Sequence, residues 1–322
     1  MYMAINQDKM LYADTLIGKI NDILVYSSLL LAHLAIIIES FVKRKHFQKY
    51  WLHYGRIIRL RNPSTRSTWK AKILIKMIAY VLFSLASEIL IITNIASDRQ
   101  WTNFWYAEVL SLLMTRNRHL QHIFFIDVIF CTLEDINSRL RNLIAWTKII
   151  QEEKKFARKL LFGELSVNKE QFKHLMKMLI CVNRIFCWSQ VLNFGQHFVQ
   201  VTSELYWVYA FATGPSFMWP TLVPFIPTVV VLMMLLTSAT RCIKEIQEKT
   251  ALLVHNIHVF IDDDELRNLI ADFSLLIKQS PRHFNARNFF VIDYTLLGKI
   301  ISSMMTFLLI FISFQPKRND RD

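Results

Sequence analysis

The sequence predicts an all-α integral membrane protein, a bundle of six transmembrane helices with cytoplasmic helical extensions. Three observations predict it. Apolar runs of about 20 residues, enough to cross the hydrocarbon core, recur along the 322 residues, 53% of which are hydrophobic. The basic residues behind the net charge of +13 stand beside those runs. That is the pattern of a membrane protein, whereas a nucleic-acid binder gathers its cations into a patch or stripe. The last run, residues 294–314, carries a single charge, Lys299.

Residues 1–21 are mixed and nearly neutral, and lack the basic start and apolar core of a cleavable signal peptide. The first span covers 22–42 and is interrupted by His33 and Glu39. His33 reads as a satisfied polar residue between helices. Glu39, near the inner end, reads as a side chain that snorkels to the interface. Residues 43–72 hold ten Lys and Arg and no acid, which places them in the cytoplasm; contact with anionic lipid headgroups is a second reading of the same charges. Asn62-Pro63-Ser64 splits this segment into two helical pieces.

The second span covers 73–95, with Lys76 at its inner end and Glu88 inside it. An intramembrane carboxylate marks a functional group or a partner for a cation on a neighbouring span. A short outer loop leads to the third span, about 104–130, which continues past the membrane as one long helix. Arg116 and Arg118 fall below its midplane, where they close the floor of a cavity or snorkel inward. His119 and His122 have a spacing found in some metal sites, but nothing nearby completes one.

A charge-mixed cytoplasmic stretch, 131–180, precedes the fourth span at about 185–211, whose outer end is marked by Tyr206, Trp207 and Tyr209. Gly214-Pro215 and Trp219-Pro220 turn the chain into the fifth span, 221–240. Residues 241–293 return to the cytoplasm. There Asp262, Asp263, Asp264 and Glu265 cap a helix whose Leu266, Leu269, Ile270 and Phe273 share one face. The sixth span is 294–314. Its Lys299, Ser303, Thr306 and Ser313 recur at steps of four, three and seven and so lie near one stripe, with Phe307, Ile310 and Phe314 on or beside it. Such hydroxyls serve as close-packing glue between helices or face a water-filled path. Four cysteines, all near inner ends of spans, are too few for a disulfide framework and lie on the reducing side.

Three stretches resemble the insect gustatory receptor family. One is Gln121, Phe124-Phe125, Leu133 and Ile136-Asn137-x-x-Leu140. The second is Val182-Asn183-x-x-Phe186-x-Trp188-Ser189, with Cys187 where the family has Gly. The third is Phe284-x-Ala286-x-x-Phe289-Phe290-x-Ile292-Asp293, followed by Thr306-Phe307-x-x-x-Phe311-x-Ser313-Phe314. It is similar to the family's C-terminal signature, with Phe307 for Tyr, Phe311 for Leu and Ser313 for Gln. The family has seven spans. The first span here is similar to the family's second, through Ile38-Glu39-Ser40 and the Trp51 that follows, so an N-terminal span is expected to be absent.

The resemblance implies a subunit of a tetrameric, ligand-gated, non-selective cation channel in the plasma membrane of sensory neurons. The last helix then lines the ion pathway, with Thr306, Phe307, Ile310, Ser313 and Phe314 on the pore and Ile310 and Phe314 as its hydrophobic gate. The region 241–293 becomes the intracellular anchor where four identical or related subunits meet, through Leu266, Leu269, Ile270 and Phe273. The C-terminus is extracellular. The implied partners are a small-molecule tastant and the lipid bilayer, with no cofactor, metal or nucleic acid. Trp105, Tyr106, Phe198, Trp207 and Tyr209 either line the tastant cavity or form an interface belt.

Rival readings find less support. A G-protein-coupled receptor needs Asp-Arg-Tyr and an intramembrane Asn-Pro-x-x-Tyr; here Asp98-Arg99 falls in an outer loop and Asn62-Pro63 in a basic one. A transporter needs broken helices, and the six glycines include no pair four apart. A truncated, non-functional receptor is a third alternative. No nucleophile with a placed base, phosphate loop or metal constellation suggests an enzyme.

Overall fold

The computed structural model describes residues 16–60, 69–91, 93, 102–149, 154–212, 225–257 and 264–313. The expected turns at Asn62-Pro63, Gly214-Pro215 and Trp219-Pro220, and the acids Asp262 and Asp263, lie outside them. The elements in chain order are α1 Leu16–Val42, α2 Arg44–Arg59, α3 Trp69–Ile91, α4 Thr102–Ile149, α5 Lys154–Ile185, α6 Cys187–Ala212 and α7 Phe225–Lys244. A π-turn, Glu245–Thr250, leads into α8 Ala251–His255. Then come α9 Asp264–Lys278, the two-residue strands β1 Asn285–Ala286 and β2 Phe290–Val291, and α10 Tyr294–Ser313.

The fold is an all-α bundle. Three segments are each long and apolar enough to cross a bilayer: Ile23–Val42, Lys70–Leu90 and Ile226–His255. A fourth is formed by Arg158–Ile185 with Cys187–Ser203 if that pair, bent by 53°, is taken as one span. The apolar part of α10, Tyr294–Ile310, is shorter. Helix α4 runs unbroken for 48 residues, roughly 72 Å at 1.5 Å per residue, more than twice the hydrocarbon thickness.

The core follows the inward faces of α4, α5, α6 and α7. Ile123, Ile126, Ile129, Leu133, Leu179 and Val182 are buried almost completely. Away from the apolar spans, α2 lies along α5. Tyr50 of α2 is fully buried and donates from its hydroxyl to the Phe125 carbonyl at 3.0 Å. The face predicted for α9 is only partly turned outward: Leu266 and Phe273 are buried inside the chain, Phe273 against Phe172 of α5 with ring centroids 5.5 Å apart. Leu269 and Ile270 are half-buried and Leu275 is exposed.

The π-turn has a local cause. Thr250 bonds to the Glu245 carbonyl five residues back at 3.1 Å and to Asn137 Oδ1 at 2.9 Å, and Asn137 Nδ2 donates to the Glu245 carboxylate at 3.1 Å. Asn137, from the first of the three motif stretches, therefore pins a widened turn that side-chain insertion into the helical ladder would be expected to open.

Where α2 meets α5, His53 Nδ1 lies 3.2 Å from His174 Nδ1, and His174 Nε2 lies 3.5 Å from Glu170. Burial lowers the pKa of both rings. His174, then Lys177, Arg56 and Lys49, lower His53 further; Glu170 raises His174, while Lys177, Arg56 and Lys173 lower it. The folded values sit below the ordinary 6.5, so the unfolded chain binds more protons. The neutral pair's contribution is complete above about pH 6.5 and is lost as pH falls through the folded values. The thermal midpoint of the detergent-solubilised chain is expected to fall between pH 7.5 and pH 5.5, and His53→Gln to flatten that fall. An equal slope in the variant would assign the acid sensitivity elsewhere.

Candidate functional site: two buried ion pairs and the base of the last helix

Both Arg116 and Arg118 of α4 are buried, with side-chain exposures of 1% and 2%. They do not snorkel, and neither does Glu39. The reason is that each arginine finds a carboxylate at its own depth. Arg116 pairs through Nη1 with Glu88 of α3, and donates to Ser84 Oγ at 3.3 Å and Thr228 Oγ1 at 3.2 Å. That one guanidinium joins α3, α4 and α7.

Arg118 holds a second group. Its Nη2 donates to Glu39 Oε2 at 3.1 Å and to the Ile185 carbonyl at 3.0 Å, its Nε to Ser189 Oγ at 3.0 Å and its Nη1 to Gln121 at 2.7 Å. Its guanidinium carbon stands 4.4 Å over the Phe186 ring. Glu39 also accepts the backbone N–H of Trp188 at 2.8 Å and of Ser189 at 3.0 Å, and the Cys187 thiol at 3.3 Å. The first N–H groups of a helix have no partner within it, and here a carboxylate from α1 supplies one at the start of α6. A negative charge there also complements the helix dipole. This exchange occurs at the 53° bend.

The second motif stretch forms the inner side of the same junction. Asn183 donates to the His283 carbonyl at 3.2 Å and accepts from the Asn285 backbone at 3.3 Å. Trp188 lies under Arg287, 4.4 Å from its guanidinium carbon, and 6.1 Å from the Phe289 ring. The third stretch builds the hairpin so held. Phe284 and Ala286 are buried, Phe290 meets Phe194 edge-on at 5.2 Å, and Ile292 N–H closes on the Phe284 carbonyl at 2.8 Å. Arg287 and Asn288, at φ 49° and 62°, take the left-handed backbone that turns it. Asp293 then caps α10 through the N–H of Thr295 at 2.9 Å and of Leu296 at 3.3 Å.

Above this base α10 is loosely covered. Thr306, Phe307, Ile310 and Ser313 are exposed on the chain alone, Phe307 at 48% and Ile310 at 44%. The hydroxyls of Thr306 and Ser313 bond back to the carbonyls of Ser302 at 3.0 Å and Ile310 at 2.8 Å, so the stripe needs neither water nor a partner to satisfy them. Phe198 and Phe307 are brought together edge-to-face at 5.5 Å. Trp105 and Tyr106 fall in α4 and Trp207 and Tyr209 in α6, but their side chains, like Phe314, lie outside the described residues.

His33 meets Ser111 at 3.0 Å, the satisfied interhelical contact read from the sequence. His119 Nε2 lies 3.1 Å from His197 Nε2, and the His122 ring stacks on Phe186 at 4.4 Å. No group of three or more potential metal ligands occurs among the described residues. The sequence reading missed the roles of Glu39 and Asn183. The available signal was the presence of acids, Glu39 and Glu88, on other apolar helices to match Arg118 and Arg116; which pairs with which is set by the register between helices.

The sequence profile of the 7tm chemosensory receptors matches residues 1–318. A protein of Drosophila melanogaster assigned as gustatory receptor 2a is 22% identical over 345 aligned positions, which cover 92% of this chain and 78% of that one. The structure of the insect olfactory receptor OR5 from Machilis hrabei superposes with a TM-score of 0.67 at 10% identity, covering 94% of this chain and 83% of that chain. The same receptor in complex with eugenol gives 0.66 at 10% identity, with 94% and 84% covered. At that identity the likeness is one of fold.

Removing one member of a buried, hydrogen-bonded ion pair costs about 3–5 kcal/mol. Glu39→Ala is therefore expected to lower the thermal midpoint sharply, since it strands Arg118 and two backbone N–H groups together. The double variant Glu39→Ala, Arg118→Met should recover part of the loss. Additive losses in the two single variants, with no recovery in the double, would mean that the two side chains act independently.

Proposed function

Because the chain belongs to the 7tm chemosensory receptor family, we propose that it is a gustatory receptor: a subunit of a ligand-gated, non-selective cation channel opened by a small-molecule tastant. The family is one of receptors, not enzymes. The observation that carries the proposal is the state of α10. Its base is fixed by Asn183, the hairpin and the Asp293 cap, while its outer length presents Phe307, Ile310 and Ser313 uncovered. An apolar helix with such a face is completed by copies of itself around an axis, as in a homo- or heterotetramer.

In this arrangement six spans cross the plasma membrane of a sensory neuron, with the basic segment 43–72 inside and the C-terminus outside. The region 241–293 forms the intracellular anchor. Leu266 and Phe273 fix α9 to α5, leaving Leu269, Ile270 and Leu275 for the next subunit. The tastant binds among the outer halves of the helices, near Trp105, Tyr106, Phe198, Trp207 and Tyr209. Phe198, in contact with Phe307, gives the cavity a direct hold on the pore helix. Ile310 and Phe314, one turn apart, form apolar rings that exclude ions by dewetting.

Ile310→Ser is expected to hydrate such a ring and raise the cation current recorded without ligand, normalised to surface protein. A normal surface level with no added leak would remove Ile310 from the gate. An epitope tag placed after Asp322 should stain in unpermeabilised cells; staining only after permeabilisation would overturn the orientation.

A further inference from the structure

Helices α1, α3 and α4 leave a groove of about 480 Å³ between them, open to the side of the bundle. Its walls are apolar, from Ile36, Met77, Met114, Leu120 and Phe124. Its remaining lining is polar, from Ser40, Asn117, Arg118 and Gln121. Asn117 and Gln121 stand one turn apart on α4 and both are exposed. The Gln121 oxygen accepts from Arg118 at 2.7 Å, so its N–H2 and the exposed Asn117 amide are the groups a polar ligand would meet.

The cations near this groove are placed on one side. Helix α1 runs into the basic segment and α3 runs out of it, so both end in cations at the same face of the bundle. Lys43 follows Ser40 by three residues and Lys72 precedes Met77 by five, roughly 4.5 and 7.5 Å along the helix axes. Arg44, Lys45 and Lys72 are exposed, and the sequence from 43 to 72 has no acid to neutralise them. Lys76 is engaged by Asp127 at 2.7 Å, and the Arg118 charge by Glu39, so the excess charge lies at the rim.

We propose that this groove binds an anionic phospholipid from the leaflet facing the basic segment. An acyl chain lies along Ile36, Met114 and Leu120. The Gln121 side-chain N–H2 donates to the glycerol ester oxygens, with the Asn117 amide one turn deeper; the Ser40 hydroxyl stays on the Ile36 carbonyl at 2.7 Å. The headgroup phosphate lies at Lys43, Lys45 and Lys72. An apolar trough with amides along it and a basic rim at one end matches the tail, ester and phosphate of such a lipid. This site shares no residue with those proposed above for the pore or the tastant, and it does not depend on the channel reading.

The test uses the purified full chain in detergent, with dioctanoyl phosphatidylserine, dioctanoyl phosphatidylcholine or inorganic phosphate added. Thermal midpoint and native mass spectra are read together. The serine lipid should raise the midpoint and remain bound in the spectra, the choline lipid should do so far less at equal concentration, and phosphate should do nothing. Lys43→Gln and Lys72→Gln should each weaken binding of the serine lipid roughly fivefold. Asn117→Leu, which touches neither ion pair, should weaken it while the protein still folds.

Equal responses to the choline lipid would overturn the charge selectivity, and a response to phosphate would mean that the groove plays no part. Unchanged binding in both the charge and the amide variants would place the lipid elsewhere. Loss of the oligomer in those variants, with no lipid effect, would make the groove a contact between copies and overturn the proposal.

Discussion

The structure depends on one carboxylate. Glu39 takes two backbone N–H groups, a thiol and a guanidinium in a buried setting. Each contact belongs to a different requirement: the start of α6 needs an acceptor, Arg118 needs a counter-charge, and α1 needs a reason to sit where it does. One side chain meets all three, so α1, α4 and the bend before α6 cannot be positioned separately. The Arg116–Glu88 pair does similar work further out, between α3, α4 and α7. In a bilayer, where apolar surfaces gain little by meeting one another, such polar joints fix which helix lies beside which.

The bend is where this matters for the last helix. Residues 183–189 face two ways: Ser189 and the Trp188 N–H toward Arg118 and Glu39, Asn183 and the Trp188 ring toward the hairpin before α10. A displacement of α4 or α1 is thereby felt at the base of α10 through hydrogen bonds rather than loose packing. The hairpin turns on two residues in left-handed backbone, Arg287 and Asn288. That backbone is an arrangement side chains disfavour, and the buried Phe284, Ala286 and Ile292 hold it in place.

Much of the fold was legible in the sequence because hydropathy and charge asymmetry are additive signals that survive local irregularity. The helical class and the long continuation of α4 were visible that way, and the motif stretches by their resemblance to the gustatory receptor family. Side-chain partners were less so. Glu39, Arg116 and Arg118 read singly as charges that would seek the interface; only the register between helices, which the sequence does not state, shows that each has a partner at its own depth. The face of α9 was legible as apolar, but periodicity alone left open whether Phe273 meets another chain or Phe172 of its own. The hydroxyl stripe of α10 read as helix-packing glue or as a face for water, and its Thr306 and Ser313 are satisfied by the preceding turn.

The two buried pairs also share an order in the chain. Each acid precedes its arginine, Glu39 before Arg118 and Glu88 before Arg116. During synthesis both carboxylates are therefore already made when α4 leaves the ribosome, and neither arginine waits for its main counter-charge. A charged helix reaching the bilayer centre alone meets its full insertion cost; one that arrives beside resident acids does not. Had the order been reversed, α4 would be the segment most exposed to failed insertion. As it stands, the first half of the bundle can assemble as its own segments emerge, and the bend at residue 186 is fastened only when α6 arrives to donate its first N–H groups to Glu39.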